Sequence, residues 1–198
     1  MIHEFGLLLK APLMKLYLSL FAALAATTFS AQAKATDYVI DPKESSIKFA
    51  ASQNGAPFNG EFSDVAGTIA FDSNAPQSAA ADVRVQTSSV TADGDEIAST
   101  LLSAEWLGVK NFPEARFMLL KLTPAGDRTY IMQGELTVKG NVMPIDAKVT
   151  VAEQDAHLLV ADTSFTFERL KFDVGWADVS SASANATVTA HIVAKARK

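Results

Sequence analysis

The sequence lacks cysteine and is poor in histidine, so it offers few of the side chains that enzymes use for metal binding and nucleophilic catalysis. With no Cys in 198 residues, neither a disulfide nor thiol chemistry is available, and packing alone must hold the core. Of the three His, His157 and His191 fall on separate predicted strands, outside any metal-binding pair or H-E-x-x-H pattern. Serines are numerous, but no G-x-S-x-G elbow occurs. We therefore predict that the protein is not an enzyme and has no metal site.

The sequence also lacks clusters of basic residues. It has 17 basic and 22 acidic side chains, for a formal net charge of −5 at pH 7. A mildly acidic surface of this kind argues against nucleic acid and anionic membranes as partners. The basic ending Lys195, Arg197 and Lys198 is interpreted as a solvated tail.

The first 33 residues have the three-part pattern of a secretory signal peptide. Lys15 follows Met14 in a short positive region, an apolar run extends from Leu16 to Phe29, and Ala31-Gln32-Ala33 is an A-x-A cleavage site. The apolar run is short for a transmembrane helix, which needs roughly 20 residues. Met14 is an alternative start, because a complete signal pattern follows it. Removing 33 of the 198 residues leaves 165, enough for one domain at 34–198.

Alternation of apolar and polar residues dominates the remaining chain and predicts half-buried β-strands. Ile47 and Phe49 alternate with Lys48 in the first such segment. Four later segments show the same period, with one apolar face each: Tyr130, Met132, Gly134, Leu136 and Val138; Met143, Ile145, Ala147, Val149 and Val151; Leu159, Ala161, Thr163, Phe165 and Phe167; Ala186, Val188, Ala190, Ile192 and Ala194. Lys139-Gly140-Asn141 is a predicted hairpin turn in which Gly and Asn supply the backbone angles. In total, about eight strands are predicted.

One stretch, Asp93 to Leu107, has helical spacing. Its acidic start suits the positive end of a helix dipole, and Ile97, Leu101 and Trp106 fall on one side. The acidic residues lack the remaining ligands and the glycine of a calcium loop. Their predicted role is therefore to stabilise the start of the helix.

Many consecutive antiparallel strands in one domain of this size predict an all-β fold, either a sandwich or a closed barrel. The predicted inward faces mix small and large side chains: Ala147, Ala161, Ala186, Ala190 and Ala194 with Phe49, Phe62, Phe71, Phe117, Phe165 and Phe167. In a small barrel, such faces either leave an apolar lumen for a ligand or pack into a dry core. The sequence pattern leaves both outcomes open.

A series of short motifs, in order from about Thr36 to Lys195, resembles the YceI family of bacterial periplasmic proteins. The motifs are Ile40-Asp41-Pro42, Ser46-x-Ile-x-Phe49, Gly60-x-Phe62, Gly67-x-Ile69-x-Phe71-Asp72, Leu102-Ser103-x-Glu105-Trp106, Asn111-Phe112-Pro113, Gly134-x-Leu136-Thr137-Val138-x-Gly140, Pro144-Ile145 and Arg169-x-x-Phe172. The resemblance implies a periplasmic, extended, lipocalin-like antiparallel β-barrel with one short α-helix. It also implies an apolar interior that binds a long-chain amphiphilic lipid, typically a polyisoprenoid or an isoprenoid quinone.

Two positions depart from the commoner family pattern. Glu44 and Gln53 stand where many members have histidine, so no histidine-dependent site carries over to them. The segment from Gln53 to Phe62 is similar to the branch associated with membrane b-type cytochromes, which implies a quinone ligand and a cytochrome partner. Members of such a family often form dimers, so a homodimer is a further expectation, although no stretch of the sequence specifies an interface.

The candidate ligand contacts fall into two groups. The apolar group, predicted to line the lumen or to cover its opening, is Phe49, Phe58, Phe62, Leu102, Trp106, Phe117, Phe165, Phe167 and Trp176. Candidate donors to a polar head group are Gln53, Asn54 and Arg169, with the indole N–H groups of Trp106 and Trp176. Each group also has a structural interpretation that needs no ligand. Inward phenylalanines also fill dry cores, and polar residues are common near turns.

Two functions from different classes follow from this sequence. The first is a non-enzymatic periplasmic carrier that holds an isoprenoid lipid or quinone by burying its tail, at roughly 25 cal/mol for each Å² removed from water. The second is a periplasmic interaction or stress-related protein. Its barrel would be filled by its own side chains, and its partner would be a membrane b-type cytochrome or another periplasmic protein.

Overall fold

The computed structural model describes residues 35–155 and 157–197, without the side chain of residue 155; the predicted signal peptide at 1–33 lies outside the described residues. Eleven strands and one α-helix occur in the described part. They are β1 (Thr36–Ile40), β2 (Ser46–Gln53), β3 (Ala56–Phe62), β4 (Val65–Phe71), β5 (Ala80–Gln86), β6 (Val90–Ala92), α1 (Asp95–Leu102), β7 (Glu114–Gly126), β8 (Thr129–Val138), β9 (Asn141–Asp155), β10 (Leu158–Glu168) and β11 (Asn185–Ala196). Within these residues, no helix has the length and apolar character needed to cross a membrane.

Eight of the strands form a closed antiparallel barrel. Neighbours pair in the order β1, β4, β5, β7, β8, β9, β10 and β11, and β11 pairs back to β1. The prediction of an all-β, lipocalin-like barrel with one short helix is confirmed, and the sandwich alternative is wrong. Closure gives every strand of the ring two neighbours and so removes the exposed edges of an open sheet.

The three additional strands arise because three chain segments bend partway along their length. β11 pairs with β1 through Ala194 and Ile40, and then with β2 through Ala190 and Ile47. In the same way β3 and β4 are separated by a short break, and β5 and β6 by the 3₁₀ turn Thr87–Ser89. The bent portions β2, β3 and β6 continue the sheet beyond the closed ring.

The barrel interior contains two apolar clusters. The first lies in the closed ring and includes the buried side chains of Tyr38, Val65 and Leu159. The second lies at the end formed by β2, β3 and β6, and it includes Trp106 from the connection between β6 and β7 and Phe172 from the 3₁₀ turn after β10. The connection at 93–113, which contains α1, therefore packs its apolar side chains into this second end.

The predicted hairpin turn at Lys139-Gly140-Asn141 lies between β8 and β9, but it has two residues and not three, and the residues that carry the unusual angles differ. Lys139 (φ 51°) and Gly140 (φ 79°) have positive φ, whereas Asn141 is the first residue of β9. The Lys139 Nζ donates hydrogen bonds to the backbone oxygens of Glu105 and Asp173, at 3.0 and 2.7 Å. These contacts offset the steric cost of a left-handed conformation at a side chain other than glycine.

The helix is shorter than the predicted stretch of Asp93 to Leu107. It begins after Gly94 (φ 103°) and ends at Leu102, because Ser103 has an extended backbone. The following residues fold into turns in which the N–H groups of Trp106 and Gly108 donate to the Ser103 carbonyl. Trp106 therefore reaches the core from a turn and not from a helix face.

We expect acid to remove a specific stabilising contact on the outer face of the barrel. The Arg116 guanidinium donates two 2.8 Å hydrogen bonds to the Asp82 carboxylate, and together with Arg84 it holds the pKa of Asp82 well below its usual range. This contribution is present above the unfolded-state pKa of about 3.8 and is lost as the pH falls through the folded value. Because both arginines are partly exposed, the effect is screened to about 1 kcal/mol.

Urea unfolding of the wild type and of Asp82→Asn measures this effect. At neutral pH we expect a higher free energy of unfolding for the wild type than for Asp82→Asn. The difference between the two free energies is expected to become smaller between about pH 4 and pH 2. A difference that stays constant or widens in acid contradicts this assignment.

Candidate functional site

A cavity of about 220 Å³ lies inside the barrel. Side chains from strands all around the ring line it, including Ile69, Val83, Met132, Leu159 and Ile192. They lie on the inward faces that the period of two predicts, so the strand alternation places them there. The sequence left a ligand cavity and a dry core both open, and the structure has a cavity.

The wall of the cavity offers almost no free polar groups. Only Thr87, Thr163 and Arg116 among its lining residues are polar. The Thr87 Oγ1 donates to the Phe112 carbonyl and the Thr163 Oγ1 to the Lys148 carbonyl, both at 2.7 Å. Arg116 is paired with Asp82 on the outer face. The interior is therefore suited to a hydrocarbon chain, which needs no hydrogen-bonding partner.

Four of the predicted aromatic contacts line this cavity: Phe62, Phe117, Phe165 and Phe167. A glycine makes room for one of these rings. Gly134 faces Phe117, and a Cβ at this position would overlap the ring. Packing therefore explains the glycine of the motif Gly134-x-Leu136. The Phe117 ring, from the neighbouring strand, occupies the space that a side chain at position 134 would need.

At the end of the barrel formed by β2, β3 and β6, Arg169 holds the surrounding loops together. Its side chain is 4% exposed, and its guanidinium donates to four backbone carbonyls at 2.8 to 3.0 Å. The acceptors are the carbonyls of Ser183, Val174, Trp176 and Ala182. Burial lowers the pKa of Arg169 from its ordinary value, but the guanidinium remains charged at physiological pH.

Comparison with known proteins places this barrel in a family. A family model described as a YceI-like domain matches residues 38–194. The chain belongs to the YceI-like family. This YceI-like protein is 32% identical over 141 residues to a UPF0312 protein of Pseudomonas savastanoi pv. phaseolicola, an alignment that covers 70% of this chain and 73% of the relative.

Solved structures of similar fold agree with the family assignment. BcnA from Burkholderia cenocepacia matches with a TM-score of 0.73 and 25% identity, over 78% of this chain and 98% of that chain. A polyisoprenoid binding domain from Saccharophagus degradans matches with a TM-score of 0.67 and 13% identity, over 81% and 98% respectively. The second likeness shows the fold alone.

Three further aromatic candidates of the YceI-like barrel, Phe49, Phe58 and Trp106, lie outside the cavity wall, in the second apolar cluster. Phe58 is buried, and its ring meets Phe49 edge to face with centroids 6.3 Å apart. Phe49 is half-buried and lies 5.5 Å from the Phe62 ring, which does line the cavity. Leu102 at the end of α1 is also half-buried in this cluster. Contact of these side chains with a ligand stays a prediction.

The two tryptophans of the YceI-like chain form an edge-to-face pair with ring centroids 5.8 Å apart. Trp106 is 7% exposed, whereas Trp176 is 50% exposed and lies on the surface. Gly175 packs directly against the Trp106 ring, and a Cβ there would lie 2.9 Å from it. The pair therefore extends from the buried second cluster, where Trp106 lies, to the protein surface, where Trp176 is exposed to solvent.

Gln53 and Asn54 lie at the hairpin between β2 and β3, at the same end of the barrel. Asn54 is exposed with φ 50°, and its N–H donates to the Ser181 carbonyl. The backbones of Gln53 and Ala182 form an isolated antiparallel β-bridge. Backbone contacts thus attach this hairpin to the segment after β10, and a role for either side chain toward a head group stays a prediction.

Sequence reasoning missed several cavity residues. Thr87 and Leu107 line the cavity from the segments at 87–89 and 103–113, which carry no alternating pattern. The signal in the sequence that could have found Thr87 is the alternation of Val83 and Val85 with polar residues just before it, which is typical of a strand. No group of three or more His, Cys, Asp or Glu among the described residues is arranged to hold a metal ion.

Proposed function

We propose that this YceI-like protein binds a long-chain isoprenoid lipid in its barrel cavity and carries or sequesters that lipid, without catalysis of its own. The observation that carries the proposal is the cavity itself, whose wall is apolar and whose few polar groups are already hydrogen-bonded or ion-paired. A structural neighbour from Saccharophagus degradans is described as a polyisoprenoid binding domain, which supports the same ligand class.

The physical basis of binding is burial of the hydrocarbon tail. Each Å² of tail removed from water contributes roughly 25 cal/mol, and a tail without polar groups leaves nothing unsatisfied in this wall. A ligand with polar groups along its length would lose hydrogen bonds to water and gain none inside. The cavity thus selects for a long apolar chain with any polar head group at one end.

We further propose that the protein acts in the periplasm and that its ligand is an isoprenoid quinone. The signal pattern ending at Ala33 supports export, and the Gln53 to Phe62 segment supports the quinone. A membrane b-type cytochrome as partner and a homodimer stay predictions from the resemblance. The competing function, an interaction protein with a self-filled barrel, is less well supported because the lumen contains a cavity.

Thermal unfolding of the delipidated protein tests the proposal. A tetraprenyl quinone at about one hundred times its dissociation constant is expected to stabilise the folded protein by about 2.7 kcal/mol and to raise its Tm. The matched control is a quinone with the same head group and no prenyl tail, which we expect to leave the Tm unchanged. Equal Tm values with and without every tailed lipid tested, including squalene, contradict the proposal.

A further inference from the structure

The buried indole N–H of Trp106 has no hydrogen-bond acceptor among the residues that the structure describes. Its Nε1 atom is fully shielded from solvent and forms no hydrogen bond in the described part of the chain. Buried indole N–H groups usually have a partner, because an unsatisfied buried donor loses its hydrogen bonds to water. The group therefore calls for an explanation beyond the packing of the ring.

The neighbouring cation, Arg169, has no carboxylate partner within the described part of the chain. The Arg169 Cζ lies 5.4 Å from the centroid of the Trp106 ring. Arg169 is 4% exposed and interacts with backbone carbonyls, and none of the ion pairs among the described residues includes it. Buried charges in proteins are ordinarily paired. An indole N–H without an acceptor thus lies beside a positive charge whose partners among the described residues are backbone carbonyls and not a carboxylate.

This region is continuous with the cavity wall. Trp106 belongs to the second apolar cluster, which also contains Leu107, Val138, Phe62 and Phe167. All four of these side chains line the cavity, whereas Trp106 itself does not. The cluster that contains Trp106 thus shares part of the cavity wall, so a tail in the cavity ends next to this cluster.

We propose that the Trp106 N–H, in the positive field of Arg169, is the hydrogen-bond donor that receives the oxygen acceptor of the lipid head group. This inference rests on the proposed function and adds a chemical class for the head group, which is a hydrogen-bond acceptor without positive charge. A quinone carbonyl and a prenyl phosphate share this chemistry. Squalene has an isoprenoid tail and no acceptor, so it serves as the matched probe that lacks the interaction.

The contacts around Trp106 hold its ring, and therefore its N–H donor, in one orientation. Gly175 packs against one part of the ring, Trp176 meets it edge to face, and Arg169 lies over its face. A donor held in this way loses little freedom on binding, so one hydrogen bond contributes most of its free energy to affinity. Arg169 itself acts as a positioning residue, since four carbonyls already occupy its guanidinium.

The chain contains only two tryptophans, so the indole N–H signals in an NMR spectrum of the full protein are few and assignable. Trp106→Phe and Trp176→Phe assign them. We expect a tetraprenyl quinone or geranylgeranyl phosphate to move the Trp106 indole proton downfield as it gains an acceptor. Squalene is expected to bind without that downfield shift. A shift with one of the two acceptor probes alone identifies the head group as carbonyl or as phosphate.

Affinity measurements give an independent readout. Trp106→Phe keeps an aromatic ring and is expected to weaken binding of the acceptor-bearing probe about tenfold, equivalent to about 1.4 kcal/mol, while squalene affinity stays unchanged. Trp176→Phe is the control and is expected to alter neither. If squalene and the acceptor probes shift the Trp106 signal alike, or lose equal affinity in Trp106→Phe, the inference is overturned. Binding of squalene in that case still supports the proposed function, whereas absence of all binding removes both.

Discussion

Ala190→Phe is expected to abolish uptake of isoprenoid lipids while the barrel remains folded. Ala190 lies on the inward face of β11, is 9% exposed and lines the cavity. A phenyl ring at this position points into the lumen, where it occupies the space of the ligand tail. Overpacking a dense core typically costs about 1–3 kcal/mol, but here an existing cavity can accept the ring. Ala161→Phe, on the neighbouring strand β10, is expected to act in the same way.

Fluorescence or calorimetric titration with a tetraprenyl quinone measures uptake, and circular dichroism with thermal unfolding checks the fold. The matched control is Ala66→Phe, the same change at an exposed residue of β4, which is expected to bind lipid as the wild type does. If folded Ala161→Phe and Ala190→Phe take up lipid at wild-type affinity, the ligand binds elsewhere.

Arg169→Ala is expected to lower the free energy of unfolding by about 4 kcal/mol. The substitution removes donors from four backbone carbonyls, of which those of Val174 and Ala182 belong to buried residues. Each buried group left unsatisfied costs about 1–3 kcal/mol, and water entering the site recovers part of that sum. Arg169→Lys is expected to recover little stability, because one ammonium group cannot reproduce the planar fork of donors.

Urea unfolding of the variants measures this loss, and Lys171→Ala is the control. Lys171 is 63% exposed and forms a surface ion pair with Glu168, so its removal is expected to change stability by less than about 0.5 kcal/mol. A loss below about 1 kcal/mol in Arg169→Ala contradicts the view that this side chain holds the segment from 174 to 184 in place.

The barrel was predictable because period-two alternation in long segments fixes which side chains point inward. Ala161, Phe165 and Ala190 lie on the cavity wall, where their strand patterns place them. The bends were not predictable, because alternation continues through a strand whose pairing partner changes. Ile40 and Ile47 belong to two strands that share β11. Asp41-Pro42 is a turn signal between them, but no local pattern specifies that both strands pair with β11.

Side-chain contacts between distant segments explain the other differences. The left-handed Lys139 depends on carbonyls of residues 105 and 173, which no local pattern near the hairpin specifies. In the same way, Arg169 reads in the sequence as a polar residue near a turn, and only the folded chain shows its four carbonyl partners. Composition could not distinguish a cavity from a dry core, since the same Ala and Phe residues suit both.

The most direct test of the central proposal is to extract the protein with organic solvent after purification from its native host, and to analyse the extract by mass spectrometry. A carrier of isoprenoid lipids is expected to yield about one long-chain isoprenoid per chain, because the proposed binding site is the apolar cavity inside the barrel. Ala190→Phe purified in parallel is expected to yield none. An extract without stoichiometric lipid, from a protein that also fails to take up a tetraprenyl quinone or squalene in vitro, would contradict the proposed function.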